Sequence, residues 1–227
     1  MQFGGNVKYP DAELKMDSSK WKYEYHSRSH VPMLFDFHAV AGDRESFSSL
    51  VDSYGPCWDE ITCEHAARNA HFDCVQYFID NGCVWDLGTF YFAAMHGRRD
   101  ILQNALSARS KLKRHKYVKW PMIADVAAEF GHLSCLEFMV EHGCPWSSNA
   151  CIIAARKQDL AVVKILVENG CPLSDFALSM AVQEGSFEIV QYLFEKDCPR
   201  SSSLCMDAIR FGRLDILRYL VENGCVM

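Results

Sequence analysis

Eleven cysteines, nine histidines and a regular set of carboxylates are the side chains of this chain best suited to chemistry. Thiols can hold zinc or act as nucleophiles, and paired carboxylates can move protons. Their spacing argues against each of these roles. No C-x-x-C pair, nucleophile elbow, phosphate loop or H-E-x-x-H stretch occurs. The cysteines instead keep a register against a recurring alanine. Cys83, Cys144, Cys171, Cys198 and Cys225 lie 17 residues after it, Cys63, Cys151 and Cys205 three before it, and Cys74 and Cys135 eight after it; Cys57 is off register by one. Cysteine in such a register reads as a small buried hydrophobe. Equivalent thiols on neighbouring packed helices would sit about 8–10 Å apart, beyond disulfide reach. The expectation is reduced thiols, no metal and no cofactor, in a reducing compartment. Asp80, Glu141, Glu168, Glu195 and Glu222 fall 14 residues after the alanine and read as a solvated ridge. His71 and His132 share one position beside a helix start and read as structural.

The element that must position these groups is a repeat. Alanines at Ala39, Ala66, Ala93, Ala127, Ala154, Ala181 and Ala208 are separated by 27, 27, 34, 27, 27 and 27 residues. A period of roughly 20–50 residues marks a solenoid whose units contact only their neighbours. Within one unit, Cys151, Ile152, Ala154 and Ala155 put a narrow stripe of small and apolar residues on a first helix. Leu160, Val162, Val163, Leu166 and Val167 recur at three- and four-residue spacing on a second. Gly97, Gly131, Gly185 and Gly212 separate the two helices, and Gly82, Gly143, Gly170 and Gly224 end the second. Trp58, Trp85 and Trp146 share one turn position, with Trp120 displaced by one, and read as an aromatic ladder over the turns.

The stretch from Ala127 to Trp146, AAEFGHLSCLEFMVEHGCPW, resembles the ankyrin repeat. The resemblance covers about residues 33 to 227, in seven units. The family's T-P-L-H opening is missing, and the period is 27 rather than the family's usual ~33. The absent residues fall where the family carries its β-hairpin. The short G-C-P-W form looks like the ankyrin arrays of giant DNA viruses and protists. The resemblance implies an all-α, ankyrin-like solenoid of about seven helix-turn-helix repeats without hairpin fingers. It also implies a non-catalytic protein-interaction module or scaffold, binding on a concave face lined by the first helices. Family contacts concentrate in the two residues after the A-A pair. By position these are Arg68, Asn69, Met95, His96, Glu129, Phe130, Arg156, Lys157, Gln183, Glu184, Arg210 and Phe211.

Departures from the repeat carry further expectations. The long step holds an insertion around residues 109–120. Arg98, Arg99, Arg109, Lys111, Lys113, Arg114, Lys116 and Lys119, against Asp100 alone, give a local charge of +7; the chain total of −6 leaves −13 elsewhere. Such a patch suits an acidic protein or a nucleic-acid backbone, against the plainer reading of a solvated loop. Residues 1–32 lie outside the register and read as an N-terminal tail or cap, with Trp21, Tyr23 and Tyr25 alternating against Lys22 and Glu24. The last unit carries Ile209, Leu214, Ile216, Leu217 and Leu220 with no following repeat, so its face is expected to be covered by another chain. A structural subunit of a large assembly is therefore the rival reading, and a nucleic-acid-associated factor a third. No apolar run reaches the roughly 20 residues of a bilayer span, and the acidic N-terminus lacks a signal-peptide core. The chain reads as intracellular and cytoplasmic, with the nucleus as the other compartment.

Overall fold

The computed structural model describes residues 31–83, 87–107 and 119–225. These form fourteen helices and, among the described residues, no strand. The first helices of the seven pairs are α1 (Val31–Ala41), α3 (Glu60–Arg68), α5 (Leu87–Met95), α7 (Trp120–Glu129), α9 (Ser148–Arg156), α11 (Asp175–Glu184) and α13 (Leu204–Arg210). The second helices are α2 (Arg44–Tyr54), α4 (Phe72–Asp80), α6 (Arg99–Ser107), α8 (Leu133–Glu141), α10 (Leu160–Glu168), α12 (Phe187–Glu195) and α14 (Leu214–Glu222). Each first helix packs on the first helices before and after it, and each second helix does the same in its own row. At seven to eleven residues, none is long enough to hold its shape alone in water, so stability comes from stacking.

All seven repeat alanines are fully buried. Ala67, Ala94, Ala128, Ala155 and Val182, one position on, are buried as well. Two small residues in succession let the first helices approach closely. The second helices supply the bulk: Phe78, Leu136, Met139, Val163, Leu166, Val190, Leu193 and Leu220 lie within the core.

Backbone hydrogen bonds explain the register of the turns. The carbonyls of Ala66, Ala93, Ala127, Ala154, Ala181 and Ala208 each accept from the amide five residues on, at 2.8–3.1 Å. This is the bond that closes a helix through a left-handed residue. Gly97, Gly131, Gly185 and Gly212 supply that residue, and Ala70 (φ 61°) and Gln158 (φ 60°) adopt the same conformation without being glycine. At the end of the second helix the closing amide belongs to the register cysteine. Cys83, Cys144, Cys171, Cys198 and Cys225 donate to Phe78, Met139, Leu166, Leu193 and Leu220 at 2.8–3.0 Å. The motif places a small apolar side chain there, packed back on the helix end.

Candidate interaction surface

The thiols are absorbed by this architecture. The Sγ atoms of Cys83, Cys171 and Cys198 donate to the carbonyls of Asp59, Ser147 and Ser174 at 3.3, 3.2 and 3.3 Å. Each acceptor precedes the first helix of the same unit, so the thiol ties the unit's end to its beginning. Burial pushes the Cys151 thiol up to about 12 and those of Cys74, Cys135, Cys171 and Cys198 to about 11. Such thiols are protonated at neutral pH and are poor nucleophiles. Among the described residues no group of three or more potential ligands is arranged to hold a metal.

Histidines and tryptophans also have structural partners. The Nε2–H of His71 donates to the Val40 carbonyl at 3.0 Å, and that of His132 to the Met95 carbonyl at 2.9 Å. Arg213 takes the same part in the last unit, donating from Nε and Nη2 to the Gln183 carbonyl at 3.1 and 2.8 Å. Each bond links a second helix to the first helix of the preceding unit. Trp58 meets Phe35, Tyr77 and Phe78, while the Trp146 indole donates to the Asn169 carbonyl at 3.1 Å. Trp85 lies outside the described residues. The carboxylate ridge is dispersed: Glu141 pairs with Arg99, Asp80 accepts from Gln76, and Glu168 accepts from the Tyr192 hydroxyl.

The twelve residues singled out by position all fall at the C-terminal ends of first helices or in the turn that follows. Their environments differ. Arg68 is exposed, pairs with Glu64 at 2.8 Å and lies over the Phe92 ring. Asn69 donates back to the His65 carbonyl at 2.8 Å. Met95 packs against the core, and His96 meets the edge of Phe72. Glu129 joins two units, with Arg156 at 3.4 Å and Lys157 at 3.9 Å. Phe130 is 46% exposed and stacks parallel on His132, while Phe211 is 44% exposed. Gln183 and Glu184 are half-buried at the end of α11, and Arg210 is exposed at the end of α13. The row is thus aromatic at Phe130 and Phe211, with a cationic step at Arg156 and Lys157 between them.

A second row escaped the sequence reading. Ile61 and Phe176, both five residues before a repeat alanine, are exposed on the first turns of α3 and α11. The register that located the first row could have located these, but family contacts drew attention only to the residues after the alanine pair.

Part of the basic patch is neutralised within the fold. Arg98 donates to both carboxylate oxygens of Asp100, at 2.9 and 2.6 Å, and lies 4.3 Å from the Phe72 ring centre. The pairing raises the guanidinium pKa and holds the Asp100 carboxyl below its usual range. Arg99 binds both oxygens of Glu141, at 3.0 and 2.7 Å. Lys119 is exposed just before α7. Arg109, Lys111, Lys113, Arg114 and Lys116 lie outside the described residues.

Two rows of short antiparallel helices, joined by left-handed turns and stacked only on their neighbours, define a helix-pair repeat solenoid. A family model of ankyrin repeats, in three copies, matches residues 151–227, the part containing α10 to α14 and most of α9. Residues 151–227 are therefore ankyrin repeats, and the same alanine register and turn bonds extend back to the second unit. Ankyrin repeats generally mediate protein–protein contacts, and proteins built from them are typically non-catalytic. No curated protein matches the chain. Among the described residues no helix is long and apolar enough to cross a membrane.

Proposed function

We propose that this protein is a non-catalytic module that holds protein partners against its concave first-helix face. The observation that carries the reading is the row at the first-helix ends, where exposed Phe130 and Phe211 flank Arg156 and Lys157. Aromatic and arginine side chains dominate interface hot spots. Glu129 holds both cations loosely at the surface, where such pairs contribute little and exchange readily for a partner's carboxylate. The partner surface this suits is acidic with apolar anchors. A reducing intracellular compartment, cytoplasmic or nuclear, belongs to the same reading.

The test is affinity capture with cross-linking, followed by binding of the identified partner to variants. Phe130→Ala and Arg156→Ala should each weaken binding about tenfold, equivalent to about 1.4 kcal/mol, with an unchanged helical signal. Wild-type affinity in both variants, or cross-links confined to the second-helix row, would reject the first-helix face.

A second reading, a structural subunit of a larger assembly, is favoured by one observation. Ile209 is exposed where the equivalent residues of the five preceding units are buried. Met206, Leu214 and Val221 are exposed beside it. Either a further repeat or a partner chain seated there would cover these residues. Aggregation of the isolated protein, relieved by its partner, would favour this reading over the module.

A further inference from the structure

In the internal units, the first-helix residues three before and one after the repeat alanine are closed off by neighbouring units. Cys63, Phe90, Ala124, Cys151 and Leu178 are buried at the first position, and Ala67, Ala94, Ala128, Ala155 and Val182 at the second. In α1 these positions hold Asp36, which is half-buried, and Val40, which is 42% exposed. Among the described residues no unit precedes α1, so this side of the helix is the open end of the row. Met33, Asp36, Phe37 and Val40, at i, i+3, i+4 and i+7, form one stripe on it. Met33 is 66% exposed, and Phe37, which meets His38 edge-on, is 54% exposed. The chain before Val31 carries a matching row, Trp21, Tyr23 and Tyr25, alternating with Lys22 and Glu24. In an extended segment such alternate side chains share a side and recur about every 6.6 Å. Met33, Phe37 and Val40 succeed one another at about 6.0 and 4.5 Å along a helix, so the two rows are commensurate. Charge favours the same match. Residues 20–30 hold Lys20, Lys22 and Arg28 against Glu24, a net +2, while residues 31–54 hold Asp36, Asp43, Glu45 and Asp52 against Arg44, a net −3.

We propose that residues 20–30 dock back on α1 as an intrachain strap, laying Trp21, Tyr23 and Tyr25 on the stripe of Met33, Phe37 and Val40. The chain reverses over residues 26–30, where Ser27 and Ser29 suit a turn. Tyr25 then meets Met33, Tyr23 meets Phe37 and Trp21 meets Val40. Reach is sufficient: the six residues from Tyr25 to Val31 span about 20 Å when extended, more than the roughly 16 Å length of the 11-residue α1. Covalent attachment holds the segment near the stripe at an effective concentration in the millimolar range, which favours it over a second copy or a free partner. The strap gives α1 the apolar cover that a neighbouring first helix gives each internal unit, and it closes that end of the row to other chains. The inference is independent of what binds the row from Arg68 to Phe211.

The test puts a photoreactive benzophenone amino acid in place of Tyr23 in the full chain. A dilute equimolar mixture of light and isotope-labelled copies is irradiated, and the adducts are mapped by mass. The expected adducts lie on residues 33–41 of the same copy. Amide exchange supplies a second readout. Trp21→Ser, Tyr23→Ser and Tyr25→Ser together should speed exchange over residues 33–41 about tenfold and leave residues 148–222 as in the unsubstituted chain. Phe37→Gln should act in the same direction, and adding it to the triple variant should change little more, because both remove one contact. Adducts joining light to heavy copies would assign the stripe to self-association. That result, adducts elsewhere or none, or α1 exchange unmoved by the triple substitution would each overturn the proposal.

Discussion

The imidazole of His132 donates to the carbonyl oxygen of Met95, 37 residues upstream, at 2.9 Å. The ring also fills the space beside Gly97, where an added Cβ would come within 2.7 Å of Nδ1. One side chain thus satisfies a helix-end carbonyl of the preceding unit and forces glycine into its turn. Replacing it with alanine leaves that carbonyl without its donor and opens a void between units. His132→Ala should cost about 1–3 kcal/mol in urea denaturation. His132→Arg should recover most of the loss, because Arg213 already performs this role toward Gln183. Equal destabilisation by both substitutions would mean that packing, not the bond, matters.

Left-handed turns at non-glycine residues yield the opposite sign. Gln158 and Asp197 hold φ of 60° and 53° where other units use glycine. Both side chains are exposed, so little packing is lost on removing them. Gln158→Gly and Asp197→Gly should each raise unfolding stability by about 0.5–1 kcal/mol, because relief of the Cβ clash outweighs the added chain entropy. A lower thermal midpoint in either variant would contradict this account.

The repeat was legible because burial at the alanine and at the closing cysteine tolerates few residue types. Ala127 must be small, Gly131 must be left-handed and Cys144 must be apolar and compact, so period and turn positions appear directly in the residue types. Pairings that cross units left no such trace. Arg99 counted as free positive charge until the fold placed Glu141, 42 residues away, against it. The Arg98 pair is local by contrast: Asp100, two residues on, was already counted against the patch in the sequence. The shortening of α13 to seven residues likewise has no mark in the residue register. Ile61 and Phe176 were overlooked because an exposed apolar residue on a short helix resembles a core residue until its neighbours are known.

Asp125 supplies a pH dependence with a defined sign. The Ser147 hydroxyl donates to it at 2.5 Å, but burial outweighs that bond and raises its pKa above 3.8. The native state therefore holds the proton more tightly than the unfolded chain. Its contribution to stability is present below the unfolded value and is lost as pH rises through the native one. Asp125→Asn keeps an acceptor for Ser147 and removes the charge. The variant should be more stable than the unsubstituted chain at pH 7, and the difference should shrink toward zero below pH 3.8. Urea midpoints of both proteins across that range decide the matter; a difference that is constant with pH would place the effect elsewhere.

With Arg98 and Arg99 engaged by Asp100 and Glu141, the remaining positive charge of the long step concentrates in Arg109, Lys111, Lys113, Arg114, Lys116 and Lys119. A docking role for this segment makes a prediction separate from the first-helix face. Lys111→Glu, Lys113→Glu and Arg114→Glu together should weaken binding of an acidic partner and flatten its salt dependence, while the helical signal stays unchanged. The slope identifies the partner. A nucleic-acid backbone loses affinity with log salt at about 0.7–0.9 per phosphate contacted, so removing three contacts should reduce the slope by about two to three. An acidic protein surface lacks that condensed counterion layer and should show a shallower change. Screening at the ~8 Å Debye length of physiological salt leaves close pairs largely intact, so a segment that docks must still discriminate at that ionic strength. Partner binding that is untouched by the triple reversal at both low and physiological salt would leave the segment as a solvated loop between the third and fourth units.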